Sequence, residues 1–241
     1  MSETFDNTID WEGYWTESAD VTADDANGSV YQAEVADAVF GFVAQRETPD
    51  RCADVGCGGG ALAARLAEQY PETTVVGYDA AESVVERNSE RVRVRGPDNV
   101  RFERVKLPDF DPDEPFDLVT CFFTLCYVAD VERALTSLYD AVVPGGYLLF
   151  TYHNRLASSL FQDIAASPED FLDESSAWSP NTFPERFQLV IDGENLLSYD
   201  RIENVLGVRP RSLWSTVDGV ERYGAWRQNP LVYVPNPASD E

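Results

Sequence analysis

Basic charge is what this 241-residue chain has least of: 18 Lys and Arg stand against 43 Asp and Glu, a formal net charge of −25. Lys106 is the only lysine and His153 the only histidine. Proteins bind phosphate backbones with basic stripes, so no nucleic-acid partner is expected. The one basic concentration, Arg87, Arg91, Arg93, Arg95, Arg101 and Arg104, is interspersed with acids and reads as a solvated face. No apolar run approaches the ~20 residues of a membrane span, and no membrane partner is expected. Met1-Ser2-Glu3-Thr4-Phe5-Asp6 has neither the basic region nor the apolar stretch of a secretory leader, so the expected location is cytoplasmic. There is no internal repeat. The four cysteines pair by spacing as Cys52/Cys57 and Cys121/Cys126, with four intervening residues rather than two and no histidine near. That pattern suits small buried side chains better than a metal site or a disulfide framework.

The acids run through the whole chain, and 44% of residues are hydrophobic, so the charge does not signal disorder. A chain of this length buries roughly 70–75% of its unfolded surface, enough for one full core. The acidic surface is expected to be that of a halophilic protein, whose self-repulsion is screened by molar salt.

The most informative stretch is Ala53-Asp54-Val55-Gly56-Cys57-Gly58-Gly59-Gly60. A short apolar strand from Cys52 to Val55 carries an acid just before its end. It breaks into glycines that open into a helical pattern, Ala61 to Tyr70, with Leu62, Leu66 and Tyr70 on one face. Such a loop lets a ligand approach backbone amides at a helix N-terminus. Alone it is ambiguous, because Gly56, Gly58 and Ala61 also satisfy the dinucleotide fingerprint. Val75-Val76-Gly77-Tyr78-Asp79 reads as a second buried strand ending in an acid that suits a ribose. An extended segment around Val100 to Glu103 follows, then Phe116-Asp117-Leu118-Val119-Thr120-Cys121. Pro144-Gly145-Gly146 then turns the chain into Tyr147 to Thr151.

In these features the chain resembles the class I S-adenosylmethionine-dependent methyltransferases over roughly residues 30 to 152. The shared signature is an Asp two residues before a G-x-G-x-G loop, an acid ending strand two, an F-D-L-V strand four and a P-G-G turn into strand five. The resemblance implies a doubly wound, Rossmann-like α/β fold. Its seven-stranded sheet is mostly parallel, with the last strand antiparallel and helices on both faces. It implies S-adenosylmethionine as cofactor, with Gly56, Cys57, Gly58 and Gly60 around the methionine half and Asp54 orienting the loop and the amino group. A carbonyl near Cys121 takes another amino N–H, Asp79 binds the ribose, and Ala80 lies beside the adenine. The chain departs from the pattern after strand three, where Arg104-Val105-Lys106-Leu107 replaces the acid many relatives direct at the adenine. It departs again after strand four, where Phe122, Phe123 and Tyr127 either wall an acceptor pocket or are ordinary core aromatics.

The rest is organised around that core. Residues 1–28 form an acidic segment with an aromatic cluster whose Tyr14 and Trp15 are candidates for a lid. Residues 29–241 are read as one domain. Ser29-Val30-Tyr31-Gln32 makes a capping box for a helix presenting Tyr31, Val35, Val39 and Phe42. Asp130 caps a helix carrying Leu135, Leu138 and Val142. Residues 153–197 break the βα alternation and form a cover after strand five, with a helix from Ala157 to Ala166. Ser198 caps a last helix that Gly207 stops, and strands from Val208 to Trp214 and Leu231 to Val234 close the sheet. His153 follows strand five, where an imidazole could serve as general base or as a structural group. The leading expectation is methyl transfer to a small-molecule acceptor by in-line displacement. A nicotinamide oxidoreductase and a non-catalytic S-adenosylmethionine-binding protein are the alternatives.

Overall fold

A computed structural model of the chain describes residues 10–17, 30–173, 176, 178–217, 224 and 226–238. The capping box at Ser29 and the Tyr31 side chain lie outside the described residues, as does most of segment 1–28. The strands are β1 (Arg51–Val55), β2 (Thr74–Asp79), β3 (Val100–Arg104), β4 (Phe116–Cys121), β5 (Val142–Thr151), β6 (Arg211–Ser212) and β7 (Leu231–Pro235). They form a seven-stranded sheet in the order β3-β2-β1-β4-β5-β7-β6. The pairs β1–β2, β1–β4, β2–β3 and β4–β5 are parallel, and β7 runs antiparallel to both of its neighbours. Central parallel strands are covered on both faces, which is why β1, β2 and β4 are nearly unbroken apolar runs. Edge strand β3 buries only Val100 and Phe102.

Helices pack around this sheet. They are α1 (Trp11–Glu17), α2 (Val30–Val43), α3 (Ala61–Gln69), α4 (Glu82–Arg95), α5 (Val131–Asp140), α6 (Arg155–Ala166), α7 (Pro168–Phe171) and α8 (Phe183–Arg186). Two more follow, α9 (Gln188–Ile191) and α10 (Tyr199–Leu206). Each face of the sheet carries its own apolar cluster. One joins α5 and α10 through Leu135, Leu138 and Ile202, and the other joins α2 and α3 through Val39, Phe42 and Leu66. On α5 the buried residues Val131, Ala134, Leu135 and Leu138 follow the i, i+3, i+4, i+7 stripe of a helix laid on a sheet. Asp130 caps it, accepting from Arg133 N–H, and Ser198 caps α10, accepting from Arg201 N–H, while Gly207 ends α10 in the left-handed region.

Three boundaries differ from the sequence reading: Val142, read on the helix of Leu135 and Leu138, instead opens β5, because that helix ends at Asp140. The edge strand expected over Val208–Trp214 is reduced to Arg211–Ser212, followed by a 3₁₀ turn at Leu213–Ser215. Pro210 just before it has no N–H for a ladder, and an edge strand has only one partner to hold it. Pro144-Gly145-Gly146 is not a turn ahead of β5 but a bulge within it, since the register jumps from Phe116↔Val142 to Leu118↔Tyr147. A Cβ on Gly146 would lie 2.6 Å from the Asp117 carbonyl oxygen, so the bulge needs glycine there.

Residues 155–191 build a small aromatic cluster of their own. Phe161, Phe183 and Phe187 pack together with Cys126 and Tyr127 from the turn after β4. This body sits at the carboxyl end of the sheet. Asn195 Nδ2 ties it down by donating to the carbonyls of Leu125 (3.0 Å) and Cys126 (2.9 Å).

Candidate active site

The strands β1 and β2 deliver two carboxylates to the same crevice. Asp54 is buried at the end of β1, where Oδ1 accepts from the Thr120 hydroxyl at 2.9 Å. Burial pushes its carboxyl up to about 7; the Asp79 charge adds to this, and the bonds from Thr120 and the Ala63 N–H oppose it. Asp79 ends β2, with Oδ2 accepting from Gly58 N–H at 2.9 Å and Oδ1 from Ala81 N–H at 3.0 Å. Burial raises its carboxyl as well, against the bonds from Ala81 and Gly58. Among the described residues neither acid has a Lys or Arg within ion-pair distance. Two buried acids without a contact ion pair, at the mouth of a glycine loop and with Arg87 acting on Asp79 only at a distance, fit a ligand that brings positive charge.

The loop between them has a defined shape. Gly56 and Cys57 donate their N–H groups to the Tyr78 carbonyl at 2.7 and 2.9 Å, which folds the turn back onto β2. Gly56 has φ 76, and a Cβ there would lie 2.1 Å from Thr124 Oγ1. Gly60 opens α3, whose N-terminal amides face the crevice. Helix α4 supports the loop from outside the crevice: Asn88 Nδ2 donates to the Gly58 carbonyl and Arg91 Nη2 to the Gly59 carbonyl, both at 2.8 Å.

Those contacts correct the sequence reading of the arginine-rich stretch. Arg93 and Arg101 are indeed surface residues paired with Glu90 and Glu103. Arg91 holds the glycine loop, Arg104 Nε donates to the Ala80 carbonyl at 3.1 Å, and the Arg87 guanidinium lies 5.4 Å from the Trp15 ring. The i, i+3/i+4 recurrence of Asn88 and Arg91 on α4 was the only available signal, and it looks the same on a solvated helix.

On the β4 side, Cys121 is fully buried and pairs with Phe150 of β5. Phe122 and Phe123 pack against the α2–α3 side cluster. Phe123 takes φ 57, an uncommon backbone state for a bulky residue, and is held there by its N–H donating to Thr151 Oγ1 at 2.7 Å. The twist carries Thr124 over Gly56, and a 3₁₀ turn then places Tyr127. The Tyr127 ring stacks on Phe187 at 5.7 Å, and burial drives its hydroxyl well above the ordinary tyrosine range. His153 follows β5, with its ring 5.3 Å from Phe161 and its carbonyl accepting from Leu197 N–H. Burial lowers its pKa to about 4, so the imidazole is neutral near pH 7. Among the described residues no carboxylate orients it.

Helix α1 lies across this end of the sheet. Glu12 accepts from the Ser83 N–H at 3.2 Å, at the start of α4. Trp15 is buried against Ala81 and Val84, so it anchors α1 to α4 rather than lining the crevice. Trp11, one turn earlier, sits edge-on to Tyr127 at 4.7 Å and reaches a cleft of about 380 Å³ with Glu12, Ala80, Ala81, Ser83 and Arg104. Tyr14 stacks edge-on against Trp11 and Trp15 and faces Arg186 of α8, 4.9 Å from its ring. All four cysteines are buried free thiols. Among the described residues no three His, Cys, Asp or Glu side chains converge on a metal position, and no helix is long and apolar enough to cross a membrane.

Residues 53–148 match the family described as "Methyltransferase domain". The chain is 37% identical over 110 residues to the demethylmenaquinone methyltransferase of Thermus thermophilus, covering 44% of this chain and 49% of that protein. It is 30% identical over 119 residues to the ubiquinone biosynthesis O-methyltransferase of Neisseria meningitidis serogroup C, covering 48% and 50%. The chain thus spans about half the length of these curated relatives. The solved N-methyltransferase NodS of Bradyrhizobium japonicum, in complex with S-adenosyl-L-homocysteine, superposes with a TM-score of 0.59 at 14% identity, over 96% of this chain and 100% of that one. The plantazolicin methyltransferase BpumL superposes with a TM-score of 0.60 at 12% identity, over 94% and 93%. Glycine loop, strand order and matched residues agree: residues 53–148 carry a methyltransferase domain, on a sheet with the fold of these solved methyltransferases.

Proposed function

We propose that this protein binds S-adenosylmethionine across the ends of β1 and β2 and transfers its methyl group to a small-molecule acceptor held on the β4–β5 side. The observation that carries the proposal is the pair Asp54 and Asp79, buried at the two strand ends beside the glycine loop with no protein cation between them. When bound, the cofactor supplies an electrophilic methyl on a sulfonium. The protein's part is to hold donor and acceptor in line, which can contribute about 7–11 kcal/mol, and to exclude water.

In this reading Asp54 takes the amino group together with a carbonyl near Cys121, and Asp79 exchanges its Gly58 and Ala81 amides for the ribose hydroxyls. Gly56, Cys57, Gly58 and Gly60 surround the methionine half. Ala80 and the neighbouring cleft take the adenine, with Trp11 offering a ring face where relatives use an acid. Tyr14 and Trp15 act through α1, which closes over the crevice, while residues 153–197 cover the acceptor beside Phe122 and Tyr127. His153 is a neutral base candidate for an O–H or N–H acceptor. The names of the quinone-related relatives support a small-molecule acceptor.

Transfer of label from methyl-labelled S-adenosylmethionine to a panel of phenols, amines and carboxylic acids, in molar KCl, tests the proposal. Stoichiometric S-adenosylhomocysteine with a methylated acceptor supports it. Tight cofactor binding with no labelled product across the panel would favour the non-catalytic alternative.

A further inference from the structure

Arg186 is the cation whose surroundings the proposed reaction leaves unused. Nε donates to the Tyr127 hydroxyl at 3.1 Å. The guanidinium carbon lies 4.9 Å from the ring of Tyr14, 5.6 Å from Trp11, and 5.7 Å from both Tyr127 and Phe187. Among the described residues Arg186 meets no carboxylate within ion-pair distance, an arrangement shared by Arg46 over the rings of Phe42, Tyr147 and Tyr233. Here a half-buried guanidinium is surrounded by ring faces instead, an arrangement that holds a cation in place without neutralising it.

The position is on the acceptor side of the crevice. Tyr127 closes the turn that begins at Thr124, which sits on Gly56, whereas the Ala80 and Arg104 cleft lies at the other side, beyond β2. Arg186 therefore goes with the turn after β4, and Trp11 stands between it and the Ala80 cleft. A planar guanidinium edge matches a carboxylate by two parallel hydrogen bonds, and flat aromatic walls match a planar unsaturated frame.

We infer that Arg186, with Tyr127 and the ring of Tyr14, recognises a carboxylate on an aromatic or otherwise planar acceptor. The inference rests on the proposed methyl transfer for which side of the crevice holds the acceptor. It makes Arg186 a specificity determinant, separate from the groups that bind the cofactor.

Benzoate and benzamide, equal in shape and differing in charge, are the probes. Their binding is measured by saturation-transfer NMR on the full chain with S-adenosylhomocysteine present, in molar KCl so that chloride competes equally in each arm. The expected result is benzoate binding at least about 10-fold tighter than benzamide, as a charge-assisted pair requires. That preference is lost in Arg186→Gln and partly kept in Arg186→Lys. Equal binding of the two probes, no benzoate binding, or an undiminished preference in Arg186→Gln overturns the inference. So does a wild-type protein without the preference in which Arg186→Gln only lowers the melting temperature, since Arg186 would then merely strap α1 to α8. If Arg186→Gln does not fold, the wild-type comparison of acid with amide still decides. Failure to bind S-adenosylhomocysteine at all would instead count against the cofactor assignment, and is read in the same samples.

Discussion

Thr124 Oγ1 occupies the space a Cβ on Gly56 would need, 2.1 Å from its ideal position. The loop that follows β1 and the loop that follows β4 therefore interlock at the carboxyl end of the sheet. Thr124 can lie there only because Phe123 takes φ 57 and turns the chain inward.

Gly56→Ala is accordingly expected to damage the site more than the fold. It meets both the clash with Thr124 and a positive φ of 76, a backbone state costing roughly 1–2 kcal/mol for an L-residue. S-adenosylmethionine affinity should fall at least about tenfold, with Thr124→Ala in the same chain restoring part of it. Calorimetric titration of the single and double variants checks this; full affinity in Gly56→Ala would show that the interlock is not needed.

The raised carboxyl of Asp54 predicts a pH dependence of definite sign. Its ordinary value is 3.8 and its folded value about 7, so the folded state holds this proton more tightly than the unfolded one. The stabilisation is fully present below the ordinary value and is lost as pH rises through about 7. Binding of a cationic ligand runs the other way, because it favours the ionised acid. Affinity for S-adenosylmethionine should rise between pH 6 and 8, and Asp54→Asn should flatten that rise while lowering affinity throughout. A slope unchanged in Asp54→Asn would assign the titration to another group.

His153 separates chemistry from binding. If the neutral imidazole removes the acceptor's proton, His153→Ala lowers turnover by roughly 10²–10⁴ and leaves cofactor affinity nearly normal. Its packing against Phe161 predicts a moderate loss of melting temperature in either case. Turnover per folded molecule equal to wild type, with an O–H or N–H acceptor, would confine His153 to that packing role.

The net charge of −25 predicts that melting temperature and solubility rise steeply with KCl, as screening shortens the reach of repulsion to about 3 Å at molar salt. A thermal-shift series from low to molar KCl measures this, and a flat series would remove the halophilic reading.

The sheet was legible because its central strands announce themselves: β1, β2 and β4 are apolar runs ending at Val55, Asp79 and Cys121, with glycines where the chain must turn. The groups that brace the site were not. Asn88 and Arg91 grip the carbonyls of Gly58 and Gly59 from a helix whose charged surface pattern looks like any solvated one. Trp11 and Trp15 sit one turn apart in an acidic segment, and periodicity alone does not say which ring anchors and which faces the cleft. Arg186 gains its meaning from Tyr14 and Tyr127, distant in sequence and brought together only by the fold. The shortening of β6 had a visible signal in Pro210, whereas the bulge at Gly145-Gly146 needed the register of β4 against β5 to be seen.

The most direct test of the account is a calorimetric titration of S-adenosylmethionine and NAD, in molar KCl, into the wild-type chain and Asp79→Ala. The account predicts clear S-adenosylmethionine binding and poor NAD binding to the wild type. In Asp79→Ala, the loss of a charged acceptor worth about 1.5–3 kcal/mol should weaken S-adenosylmethionine binding roughly 10- to 100-fold. Tight NAD binding without S-adenosylmethionine binding, or an undiminished S-adenosylmethionine affinity in Asp79→Ala, would contradict it.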